Sequence, residues 1–129
     1  MPDNEKMLLE GKEEFLASLE PVGHISLHNK GWFVARMNFL FQNENGNTGH
    51  LAGSGKDILK GKAESQELCE FGMPEGAICT IRADVVWGSG KSGQMWFKHE
   101  SGSKRRANFV IAGTTLGNTL GFVSCDTVD

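Results

Sequence analysis

The residues whose types could do chemistry are two Gly-Lys pairs, two Gly-Ser-Gly triplets, four histidines and three cysteines. A phosphate-cradling loop needs GxxxxGK followed by Ser or Thr, because backbone N–H groups hold the phosphates and the hydroxyl binds Mg²⁺. Gly55-Lys56 is followed by Asp57 and has His50 where the first glycine belongs. Gly90-Lys91-Ser92 supplies the hydroxyl but has Val85 at that place. A nucleophile elbow needs GxSxG between a strand and a helix. Gly53-Ser54-Gly55 and Gly88-Ser89-Gly90 are shorter than that and read as turns. Cys69, Cys79 and Cys125 form no CxxC, and His24, His28, His50 and His99 stand at no zinc-ligand spacing from them. The three thiols read as reduced, buried, small apolar residues. No catalytic residue, metal ligand or cofactor is expected, so the chain reads as a binding protein, not an enzyme.

Charge narrows the partner. The 129 residues carry a net charge of −3. The acidity sits in residues 1–20, and the remaining body is near neutral, which excludes a nucleic-acid binder. Lys98, Lys104, Arg105 and Arg106 cluster around Glu100. They read either as a solvated turn or as an attraction for anionic head groups or glycans. No apolar run approaches the roughly 18 residues of a membrane-spanning helix. Met1–Phe15 lacks a basic stretch followed by an apolar core, so no secretory leader is expected. A cytoplasmic location is the default, with leaderless release as the alternative.

The elements that must position any site follow from periodicity. Pro2–Glu20 predicts one short helix, capped by Asp3 or Asn4 and stopped by Pro21, with Leu8, Leu9, Phe15, Leu16 and Leu19 on one face. After Pro21 the period changes to two. Gly31–Phe41 alternates with Phe33, Ala35, Met37, Phe39 and Phe41 on one side. Ala77–Trp87 alternates with Ala77, Cys79, Ile81, Ala83 and Val85 inward and Thr80, Arg82 and Asp84 outward. Shorter strands are expected at Val22–Leu27, Ser65–Phe71, Gln94–Lys98, Ala107–Ala112 and Leu120–Ser124, with a turn at residues 43–47. The fold class is therefore all-β: an antiparallel β-sandwich of about seven strands with one short N-terminal α-helix. Residues 1–20 form an amphipathic extension and residues 21–129 the sandwich domain.

Three segments carry a resemblance: Gly31-Trp32-Phe33-Val34-Ala35-Arg36-Met37-Asn38-Phe39, Ile81-Arg82, and Arg105 to Leu116, which ends Ile111-Ala112-Gly113-Thr114-Thr115-Leu116. In this order and spacing the body, roughly residues 22–125, resembles the C-terminal membrane-binding β-sandwich of the cholesterol-dependent (thiol-activated) cytolysins. The resemblance implies that the Thr-Leu pair, here Thr115 and Leu116, recognises sterol at a membrane surface. It also implies that the Trp-rich undecapeptide would fall on Ala83–Gly93. That stretch keeps neither its Cys, its Trp pair nor its final Arg and has only Trp87, so thiol sensitivity is not expected. Only residues 1–20 precede the sandwich, so a pore made by refolding large preceding domains is not expected either.

Two functions follow. The first is a stand-alone recognition module that binds a membrane surface, at a sterol or glycolipid head group, through Thr114, Thr115, Leu116 and Trp87. Its ancestry would be toxin-related. The second is a soluble, lectin-like glycan- or protein-binding sandwich using Trp32, Trp96, Lys98 and Arg105, joined as a homo-oligomer by its N-terminal helix. One buried Leu contributes about 1.5–3 kcal/mol, too little for stable anchoring. Membrane binding would therefore need several loops or several copies.

Overall fold

A computed structural model describes residues 18–43 and 45–129. The alternation read from the sequence becomes ten strands: β1 Pro21–Val22, β2 His24–Asn29, β3 Ala35–Gln42, β4 Thr48–Ala52, β5 Ala63–Glu67, β6 Ile78–Val85, β7 Lys91–Ser92, β8 Phe97–His99, β9 Arg105–Gly113 and β10 Asn118–Thr127. They form two sheets. One has the order β1-β8-β6-β3-β4, with β7 also on β6, and the other the order β10-β9-β2-β5.

The expected fold class needs correcting. The sandwich is right, but there are ten strands and not about seven. Among the described residues no α-helical element precedes β1, and the helical element present is a 3-10 turn, Leu68–Phe71. Most of the expected Pro2–Glu20 helix, residues 1–17, lies outside the described residues. The sheets are also not purely antiparallel, because β1 pairs parallel with β8 and β2 parallel with β9. The two parallel pairs share one cause. Chain segments β1-β2 and β8-β9 run side by side and both pass from the first sheet to the second. Gly23 makes the crossing: its N–H donates to Arg105 O at 3.0 Å, and a Cβ there would land on the Ser103 carbonyl.

The inward faces are those the alternation indicates. Ala35, Met37 and Phe39 of β3 and Cys79, Ile81, Ala83 and Val85 of β6 are buried. They meet Ile25 and Leu27 of β2 and Ala107, Phe109 and Ile111 of β9 in one core. Phe109 packs edge-on to Phe97 at 6.1 Å and to Phe122 at 5.6 Å between ring centroids, fixing the closure of the sheets. Thr80 departs from its expected outward position. It is fully buried, and its hydroxyl donates to Met95 O at 2.7 Å where the 93–96 segment crosses β6. The cysteines divide by position. All three are free: Cys79 buried in β6, Cys69 exposed on the 3-10 turn, and Cys125 half-buried on β10. Burial pushes the Cys79 thiol up to about 12.

The seam between β9 and β10 is tied by a charged network. Arg106 donates to Asp126 from Nε at 2.8 Å and Nη2 at 2.6 Å, and Asn108 Nδ2 donates at 3.0 Å. The Arg106 hydrogen bonds, then that of Asn108, hold the Asp126 carboxyl down to about 2 from its ordinary 3.8. A depressed carboxyl contributes stability above its unfolded value, and that stability is lost as pH falls through the folded value. Stability is therefore expected to decline as pH drops from about 3.8 toward about 2. Asp126→Asn should flatten that limb in urea melts across pH. A variant whose acid limb is as steep as the parent's would show that the network does not couple to folding.

Candidate functional site

Four loops meet at the end of the sandwich where β2, β6 and β9 finish. They are residues 30–34, 53–62, 86–90 and 114–117. Asn29, the last residue of β2, organises two of them from the inside. Its side chain is fully buried. Its Nδ2 donates to Phe33 O at 2.6 Å and Ile58 O at 2.9 Å, while its Oδ1 accepts from Gly31 N at 2.8 Å. The other two loops are bound to each other. Ser89 N donates to Thr115 O at 3.2 Å, and Asn118 Nδ2 donates to Ser89 O at 2.9 Å. The contact needs a residue without a side chain at 88, since a Cβ there would overlap the Thr115 carbonyl oxygen. Trp32 N donates to Gly113 O at 2.9 Å and joins the first pair of loops to the second.

This frame holds apolar side chains out into solvent. Trp87 is 94% exposed, Leu116 86%, Trp32 74% and Leu59 54%. Of the large apolar side chains exposed among the described residues, only Met95 and Val123 lie elsewhere. Trp87 also has φ +66°, a left-handed conformation that a bulky residue adopts at a cost of roughly 1–2 kcal/mol. Its side chain is left almost wholly in solvent. Thr115 is half-buried beside Leu116, and its hydroxyl makes no hydrogen bond among the described residues. Thr114 stands exposed at the turn, its Oγ1 accepting from Gly117 N at 3.2 Å.

The structure thus brings Thr114, Thr115, Leu116 and Trp87 together at one tip. Trp32, assigned by the sequence to the glycan alternative, joins them there, and Lys60 Nζ stands over its ring. The other glycan residues lie apart. Trp96 is half-buried in a groove of about 370 Å³ with Leu40, Gln42, Thr48 and Ile78. Lys98 is exposed on β8, and Arg105 sits at the far end of the sandwich paired with Glu20. The basic cluster of residues 98–106 is accordingly half spent internally, Arg105 on Glu20 and Arg106 on Asp126. Asn29, Leu59, Gly88 and Asn118 were not singled out from the sequence. Leu59 follows Ile58 in an unpatterned stretch, and only Gly88, inside a Gly-Ser-Gly turn, carried a local signal.

No group of three or more His, Cys, Asp or Glu placed to hold a metal occurs among the described residues. Nor is any helix among them long and apolar enough to cross a membrane. No protein-family model and no curated protein matches the chain. Solved structures do. Listeriolysin O is 21% identical with a TM-score of 0.44, the match covering 83% of this chain and 22% of that one. A Gram-negative toxin is 22% identical with a TM-score of 0.41, covering 83% and 23%. A non-hemolytic pneumolysin from Streptococcus pneumoniae is 17% identical with a TM-score of 0.41, covering 83% and 24%. The chain therefore spans less than a quarter of the length of each. All three likenesses are of low identity and concern the course of the chain alone.

Proposed function

We propose that this chain is a non-enzymatic recognition module that docks tip-first on a membrane surface. The observation that carries the reading is the convergence of Trp32, Leu59, Trp87 and Leu116, all exposed, on four loops locked together by backbone hydrogen bonds. Tryptophan favours the head-group layer, and leucine the acyl boundary beneath it. At about 1.5–3 kcal/mol for each fully buried side chain, four of them approach the roughly 8 kcal/mol of a micromolar interaction before the costs of orientation. One chain thus supplies the several contacts that a single leucine could not. In support of a hydroxyl-bearing ligand, a sterol or a glycolipid head group, the Thr115 hydroxyl next to Leu116 has no hydrogen-bond partner among the described residues. The sequence resemblance assigns sterol recognition to this same pair.

The test is flotation with phosphatidylcholine vesicles, with and without cholesterol, of the full chain and of Trp87→Gly, Leu116→Gly and Thr115→Gly. Trp87→Gly and Leu116→Gly are expected to lose binding by about tenfold or more each. Trp87→Gly should also raise thermal stability slightly, because glycine adopts φ +66° without strain. A sterol dependence that disappears in Thr115→Gly assigns the hydroxyl to sterol. Full binding by all three variants would overturn the tip as the contact.

A further inference from the structure

We infer that the tip selects anionic lipid surfaces, because the cations left over after internal pairing are gathered around it. This rests on the tip-first reading above and adds a class of lipid to it. Five ion pairs occur among the described residues: Arg36–Asp57, Lys56–Glu64, Arg82–Asp84, Arg105–Glu20 and Arg106–Asp126. The charges outside those pairs are sorted by position.

Lys30, Lys60, Lys62 and Lys91 are exposed and lie at the tip. Lys30 follows Asn29 and its N–H bonds Ile111 O near the end of β9. Lys60 covers Trp32. Lys62 bonds Leu59 O through its N–H and Asn29 N through its carbonyl. Lys91 is opposite Ala83, two residues before the end of β6. No acid outside an ion pair accompanies them among the described residues. The other end carries Glu67, Glu70, Glu75, Glu100 and Asp129 outside ion pairs, against Lys98 and Lys104. Glu67 is opposite His24 at the start of β2, and Lys98 is opposite Ile78 at the start of β6, which fixes both at the far end.

The chain is net acidic, and an anionic membrane would repel it if its charge were spread evenly. Sorted as it is, the field turns the lysine end toward a negative surface and the acidic end away. Lys60 lies over Trp32, and Lys30, Lys62 and Lys91 stand on the backbone at the same end as the exposed tryptophans and leucines. Head-group phosphates and carboxylates would meet the ammonium groups at the depth where the indoles sit. An apolar centre with a cationic rim fits a lipid surface better than a soluble polyanion, which would leave the four apolar side chains in water.

Flotation of the full chain separates this from the tip reading itself. Vesicles are phosphatidylcholine alone, with cholesterol, with phosphatidylserine, and with both, at low and at physiological salt. Phosphatidylserine is expected to raise binding in a salt-sensitive way, by about fivefold for each lysine engaged. Lys30→Gln/Lys62→Gln/Lys91→Gln, which leaves Lys60 over Trp32, should lose most of that gain and keep the binding seen on phosphatidylcholine. Lys62→Gln and Lys104→Gln change net charge equally, and only the first should weaken binding. Equal losses from both, or no response to phosphatidylserine while Trp87→Gly still abolishes binding, would overturn the charge inference and leave the tip standing. Full binding by Trp87→Gly and Leu116→Gly on every vesicle would overturn the tip reading instead. Heparin that captures the chain through the same four lysines as tightly as vesicles do would reassign them to a soluble polyanion.

Discussion

Asn29→Ala is expected to destabilise the chain by about 3 kcal/mol, the largest effect of any single polar substitution among the described residues. The side chain is fully buried and makes three hydrogen bonds, two donated to the carbonyls of Phe33 and Ile58 and one accepted from Gly31 N. Truncation leaves the Phe33 carbonyl and the Gly31 N–H without partners, at about 1–2 kcal/mol each, and takes one of two donors from the Ile58 carbonyl, which keeps Ala35 N. Asn29→Asp is the sharper probe. It keeps the acceptor for Gly31 and puts a negative charge against two carbonyl oxygens, so it should be at least as damaging as alanine. Urea denaturation gives the stability. Tryptophan fluorescence in a Trp87→Phe/Trp96→Phe background should report Trp32 separately, because the loops that carry it lose their internal tie. A loss below about 1 kcal/mol in both variants would mean that the two loops hold themselves.

Gly88→Ala should weaken binding while the chain still folds. Its Cβ would overlap the Thr115 carbonyl oxygen, a backbone atom that cannot swing aside, so the two loops must part. Overpacking of this kind costs about 1–3 kcal/mol, paid where the chain is most exposed and easiest to displace. Trp87 and Leu116 would then be presented out of register, and vesicle binding should fall by about tenfold or more while the thermal midpoint drops by roughly 3–15 °C, leaving the chain folded at room temperature. Gly117→Ala is the matched control, since a Cβ there meets nothing nearer than Thr114 Oγ1 at 3.6 Å. Equal binding by Gly88→Ala and Gly117→Ala would show that the tips act independently.

The two expectations differ in how visible they were in the sequence. The core was legible wherever one strand alternates cleanly. β3 and β6 announce their inner faces, and the structure buries those residues, with Phe41 only partly buried and Thr80, read as outward, buried as well. β4 was not legible, because Thr48-Gly49-His50-Leu51-Ala52 has little strand propensity and is held by pairing to β3. The parallel pairs were invisible for a different reason. Local pattern tells which side of a strand is buried but nothing about which strand lies beside it. At the tip, Thr114–Leu116 could be read from a contiguous motif. Trp32 and Leu59 could not be placed with it, since their convergence depends on Asn29 and on strand endings far apart in the chain. The Lys98–Arg106 cluster misled because its two arginines are consumed by Glu20 and Asp126, partners that sequence spacing does not reveal.

The place of β2 also dictates when this chain can fold. It is an inner strand, bounded by β5 on one side and β9 on the other. Its registered neighbour on β9 lies far along the chain: Ser26 is opposite Asn108. A ribosome releasing the polypeptide exposes β2 early and supplies its second neighbour only after most of the domain has been made. Until then the strand has one open side, and Ile25 and Leu27 lack Ala107 and Phe109 beside them. Contacts of such long sequence separation carry a large loop-closure cost before they return any stability, so folding is expected to be slow and all-or-none. Nascent chains stalled before Gly113 should therefore remain protease-sensitive along their whole length, and those released past β10 should become resistant in one step.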